Sequence, residues 1–204
     1  MKILIIGPPR SGTTSLIRSL GEVTKYTLIT EPFNYNLKNH KIYSHPINYD
    51  DGIIVKMITA QVPLEYNNGD WKFFKNFIID EINKFDYVIL LNRKNLKEHW
   101  ESYINLVYKN KINSQPHSSW SQLPDDIDSI IDIGHKNIFK YQRDVIYDIS
   151  SLLNINISWY EELYGTDRTI SLKLITSWGL GLDNNILNDL LHPKFKYRKQ
   201  KSLI

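Results

Sequence analysis

Hydrophobic positions along this chain fall into two patterns. Some are short apolar runs of strand length; others return every three or four residues, as on one face of a helix. Ile3 to Ile6 is the first apolar run, Gly7 to Gly12 punctuates a turn, and Leu16, Ile17 and Leu20 recur at helical spacing with Gly21 as a C-cap. Tyr26 to Ile29 offers a second strand, and Pro32 biases Glu31 toward extended geometry at its C-terminal mouth. Gly52 to Ile58 and Tyr87 to Leu91 read as buried strands. Trp71, Phe74, Ile78, Ile82 and Phe85 predict a helix capped by Asp70. Leu96, Trp100, Tyr103, Ile104 and Val107 mark the buried face of another, opened by Asn95 and Glu98 as a capping-box-like pair. Ile127, Ile131, Ile138, Tyr141, Val145, Ile149 and Leu152 predict a long scaffold helix begun at Asp125-Asp126, and Asn154 to Trp159 alternates as a last strand. Two polar stretches, 33–51 and 111–124, read as loops beside a ligand edge, where binding loops are expected.

Strands alternating with helices over 204 residues predict one α/β domain, 1–204: three layers, with a mostly parallel central sheet flanked by helices. The first strand, glycine-bounded loop and helix form an anion cradle, in which loop N–H groups and the helix dipole face a phosphate or sulfate. Gly7-x4-Gly12 has the spacing of a Walker P-loop, so the expected architecture is similar to that of P-loop kinases. The next residues are Thr13-Thr14 in place of Lys-Ser or Lys-Thr, and the fixed cation is Arg10, inside the loop. The strand 87–91 ends in Asn92-Arg93-Lys94 where a Walker B strand would present Asp to magnesium. Both departures argue against a kinase or ATPase. Arg93 at this strand mouth and Ser102, two turns beyond Asn95, could hold one phosphate between them.

Pro9-Arg10-Ser11-Gly12-Thr13-Thr14 resembles the 5′-phosphosulfate loop of sulfotransferases that use 3′-phosphoadenylyl sulfate (PAPS), which carry Lys or Arg followed by Ser-Gly-Thr-Thr. The segment after the 87–91 strand resembles the family's 3′-phosphate motif, a basic residue followed by Ser. Its strict spacing fits Lys94 with Ser102, whereas variants with a double basic residue let the first, here Arg93, bind. Tyr160-Glu161-Glu162-Leu163 is similar to the family's Tyr-Glu-Asp-Leu, whose Tyr approaches the adenine and whose Glu helps fix the local turn. Ile175 to Leu182 looks like its helix leading into a Leu-Gly-Leu turn.

The resemblance implies a PAPS-dependent sulfotransferase that acts on a hydroxyl acceptor, carbohydrate, lipid or another small molecule, releases 3′,5′-ADP and requires no metal. It implies that Arg10, Ser11, Gly12, Thr13, Thr14 and Ser15 hold the 5′-phosphosulfate, that Arg93 or Lys94 with Ser102 holds the 3′-phosphate, and that Tyr160 meets the base. Several groups in the family have a Glu in a Glu-Pro context as the base that deprotonates the acceptor, which points to Glu31. Cytosolic members end a strand in Val-Lys-Thr-His with a catalytic His. Here the run is Val55-Lys56-Met57-Ile58, so that His is missing while Lys56 remains available to stabilise the transferring group. His40, His45 and His117, in the candidate acceptor loops, stay open as alternative bases. The basic tail Phe195 to Lys199 reads as solvated.

Composition narrows the remaining classes. With no cysteine the chain has neither a disulfide framework nor a thiolate metal site. A net charge of +3 is too small to argue for nucleic acid. No apolar run nears the ~18 residues of a membrane span, and Met1-Lys2 leads directly into the first strand, so a cytoplasmic protein is expected. Two other functions stand beside the transferase: a nucleotide kinase with a degenerate P-loop, and a non-catalytic protein that binds PAPS or 3′,5′-ADP.

Overall fold

The computed structural model describes residues 1–36, 41–44, 47–59, 79–108 and 133–182. In chain order the elements are β1 (Lys2–Gly7), α1 (Thr13–Thr24), β2 (Thr27–Thr30), β3 (Phe33–Asn36), β4 (Lys41–Ser44), β5 (Ile53–Ile58), β6 (Tyr87–Asn92), α2 (Leu96–Tyr108), α3 (Ile133–Leu153), β7 (Ile157–Trp159), α4 (Tyr160–Leu163) and α5 (Arg168–Ser177). A helical turn over 79–82 precedes β6, and the rest of the helix expected from Trp71 onward lies outside the described residues.

Five strands form one sheet in the order β2-β5-β1-β6-β7, and every pairing in it is parallel. β1 sits at the centre, with Leu4 opposite Val55 of β5 and Val88 of β6. Its apolar run is continuous because both faces are covered. Ile3 and Ile5 pack with Leu16, Ile17 and Leu20 of α1, Leu163 of α4 and Ile175 of α5. Leu4 and Ile6 point the other way, onto Val145, Ile146 and Ile149 of α3. This is the three-layer α/β arrangement the sequence predicts, and each fully buried aliphatic side chain of β1 contributes about 1.5–3 kcal/mol.

Several local expectations change. Gly21 does not end α1, which continues to Thr24 and closes on Lys25 in the left-handed region. Gly21 lies inside the helix against β2, where a Cβ would lie 2.4 Å from Cδ2 of the exposed Leu28 and would require that side chain to move. The stretch 33–51, expected to be a loop, contains the antiparallel pair β3 and β4, whose aromatic–polar alternation is a strand pattern. The stretch 111–124, the start of the long helix at 125–132, and the tail lie outside the described residues, as do His40, His45 and His117. The predicted stripe of α3 is rotated: Ile138 and Leu152 are exposed, while Phe139, Gln142 and Arg143 are buried beside Val145 and Ile146. Likewise Leu96 of α2 is exposed, while His99 and Ser102 are buried with Tyr103 and Ile104.

Candidate functional site

Because the sheet is parallel, β1, β2, β5 and β6 all end at one edge, and the loop 8–12 crosses that edge. β1 can turn there only because Gly7 lacks a side chain: a Cβ would stand 2.5 Å from both Leu91 O and Ser11 Oγ. Ser11 N–H donates to Pro8 O at 3.2 Å, closing the turn. Gly12 is the N-cap of α1 at φ 99°, left-handed, with the Tyr160 ring against its α-carbon. Arg10 is also left-handed, at φ 67°, and its Nε donates to Ser102 Oγ of α2 at 3.1 Å. Ser11 Oγ is buried with no hydrogen-bond partner.

Arg93, one residue past β6, is 4% exposed. Its guanidinium lies 4.2 Å from the Tyr160 ring centroid, and Nη1 donates to Glu98 O at 3.4 Å. Its Nε has no partner, and among the described residues no carboxylate pairs with it. Tyr160 thus spans the interval between the loop glycine and Arg93. Lys94 points elsewhere, its Nζ paired with Glu162 and 5.7 Å from the Trp159 ring centroid. Glu161 fixes the strand-to-helix turn, accepting from the N–H groups of Lys94 at 2.9 Å and Asn95 at 3.2 Å. Asn95 Oδ1 in turn caps α2 by accepting from Glu98 N–H at 3.1 Å. Asn92, in the Walker B position, is buried and uses its Oδ1 to accept from Arg93 N–H.

Glu31 and Lys56 meet at the ends of β2 and β5. Glu31 N–H donates to Lys56 O at 2.8 Å, which continues the ladder, and its carboxylate pairs with Lys56 Nζ. Glu31 is not extended, as Pro32 predicts, but left-handed at φ 52°, where the chain turns out of β2. Lys56, 4% exposed, also donates to Thr14 Oγ1 at 2.9 Å, so one buried ammonium joins the carboxylate to the first turn of α1. Thr13 is buried at the start of that turn, and Ser15 follows on its half-buried side, where Ser15 O accepts from Ser19 Oγ.

Two residues that sequence reasoning missed lie beneath the loop. His99 of α2 is fully buried and approaches Pro9 O through Nε2 at 2.8 Å, and Arg143 Nη1 of α3 approaches its Nδ1 at 2.5 Å. A carbonyl can only accept, so Nε2 carries the proton and Nδ1 accepts from Arg143. Arg143 Nη2 donates to Arg93 O at 2.9 Å. Burial pushes the His99 pKa down to about 3, aided by the charges of Arg143, Arg93 and Arg10 and opposed by the bond to Pro9 O. The available signal was a polar residue one turn before Ser102, on the same helix face; nothing local pointed to Arg143.

Fold and site together define a three-layer α/β domain with a cluster of cationic side chains, Arg10, Lys56 and Arg93, at the carboxyl edge of its central sheet. No family model matches the chain, and no curated protein or solved structure does either. Among the described residues no helix is long and apolar enough to cross a membrane.

Proposed function

We propose that this protein is a PAPS-dependent sulfotransferase acting on a hydroxyl acceptor. The observation that carries the reading is Arg93. A buried guanidinium without a carboxylate, with Nε unpartnered, is costly unless an anion completes it. It lies on the Tyr160 ring, which also lies against Gly12 of the loop, so the two candidate anion sites flank one aromatic ring, as a nucleotide with separate 3′ and 5′ anionic groups would require. Arg93 rather than Lys94 is then the 3′-phosphate ligand, because Lys94 is engaged by Glu162.

In this reading Arg10, Ser11 and the N–H groups of Gly12 to Ser15 hold the 5′-phosphosulfate, with the Thr13 and Thr14 hydroxyls as further donors. Ser102, which holds Arg10, faces the 3′-phosphate with Arg93, and Tyr160 meets the base. The acceptor oxygen attacks sulfur in line. A new S–O bond forms, the bond from sulfur to the 5′-phosphate oxygen breaks, 3′,5′-ADP leaves, and Glu31 takes the acceptor's proton. Lys56, between Glu31 and Thr14, supplies positive charge to the transferring group. No step requires a metal ion.

Calorimetry and thermal unfolding with 3′,5′-ADP against ATP plus Mg²⁺ test this. At 100 times its Kd a ligand stabilises by about 2.7 kcal/mol, a shift of several degrees for a domain of this size. Preference for 3′,5′-ADP is the expected result. Preference for ATP with Mg²⁺ would overturn it in favour of a nucleotide kinase. Binding of 3′,5′-ADP with no turnover of PAPS on any hydroxyl acceptor would leave a binding protein.

A further inference from the structure

We infer that His99 and Arg143 are positioning residues of the anion cradle: Arg143, acting through His99, fixes the orientation of the Pro9–Arg10 peptide, and through the Arg93 carbonyl it fixes the second cationic residue. What fills the cradle rests on the nucleotide reading above; the relay itself rests on geometry. In a trans peptide the C=O and the following N–H point to opposite sides. Pro9 O is turned onto His99, so Arg10 N–H is turned to the opposite side of the peptide, away from His99. Flipping that peptide would change φ at Arg10 and release it from its unfavourable left-handed value of 67°. The buried bond from His99 opposes that flip.

The relay works only with neutral His99. The charged groups facing it are Arg143 from α3, Arg93 from the end of β6 and Arg10 from the loop, all cations, while the Phe139 ring closes it edge-on at 4.9 Å. An imidazolium would turn a second N–H against Arg143. Arg143 is also the one cation on the buried face of α3 among its described residues, and both of its acceptors belong to the site.

Titration of the full chain with 3′,5′-ADP, by calorimetry at pH 7, tests the relay. H99L should weaken binding tenfold or more, while H99Q, which keeps a donor and an acceptor, should stay within about threefold of wild type. R143M, which also releases the Arg93 carbonyl, should weaken it at least as much, and H99L/R143M no further than the weaker-binding single variant, because the path through His99 is already cut in R143M. H99L within twofold of wild type, or losses that multiply in the double variant, would overturn the inference. If H99L does not fold, R143K replaces it under the same criteria, since an ammonium cannot span His99 and Arg93 O as the guanidinium fork does. If wild type itself fails to bind 3′,5′-ADP, the nucleotide reading falls, and the ¹⁵N spectrum of His99 judges the relay. A neutral Nε2–H ring at pH 6 upholds it; an imidazolium or an Nδ1–H ring refutes it.

Discussion

Gly12 combines two demands that only glycine meets. Its φ of 99° excludes an ordinary side chain, and a Cβ would lie 2.4 Å from Cδ2 of Tyr160. Gly12→Ala is therefore expected to cost about 1–3 kcal/mol through backbone strain and displacement of the ring. The measurement is a lower urea midpoint at unchanged slope, and the displaced Tyr160 should also weaken 3′,5′-ADP. His99 makes a second residue-level prediction. Its native pKa of about 3 lies below the ordinary value of 6.5, so the unfolded chain takes up a proton first as the solution is acidified. Stability from this residue is complete above pH 6.5 and falls between there and pH 3, by about 1.4 kcal/mol per pH unit once below 6.5. Urea unfolding of wild type and H99Q at pH 7 and pH 5 should show wild type losing about 1–2 kcal/mol more than the variant. Equal losses would mean that His99 is not held neutral. At this scale the sequence was informative where chemistry is local. Gly7 to Thr14 is contiguous, so spacing alone exposes the turn from β1 into α1. His99 meets Arg143 across two helices, and no spacing rule links them.

At the scale of elements, the paired ends of β2 and β5 bring Glu31 to Lys56 through the ladder register that sets Thr30 beside Lys56. Glu31→Gln keeps the size of the side chain and removes the carboxylate proposed above as the proton acceptor. The expected outcome is turnover reduced at least about 100-fold, with 3′,5′-ADP affinity within about twofold of wild type, read by a PAPS assay and calorimetry. Retained turnover would move the base to another residue. The strands were legible because parallel strands buried on both faces read as unbroken apolar runs, as in Ile3 to Ile6. Helix faces were less so. An apolar stripe locates a core-facing side only if the core wants apolar residues, and α2 and α3 turn His99, Ser102, Gln142 and Arg143 inward instead. The helices are rotated from the pattern where they serve the site, and Ile138 and Leu96 are left exposed as a result.

At the scale of the whole molecule, the α/β class follows from the alternation of strand and helix, but the strand order does not. β1 has α1 and β2 next to it in sequence, yet its hydrogen-bonded neighbours are β5 and β6. Ile3 lies opposite Ile54 on one side and Tyr87 on the other. During synthesis β1 is therefore made before either of its partners and waits for both. Loop-closure entropy must be met before those distant pairings form, so the nucleus is expected to be assembled slowly. Until residues near 92 have been made, Ile3 to Ile6 is an unpaired edge on the nascent protein, the kind of segment that chaperones hold and that aggregates at high expression rates.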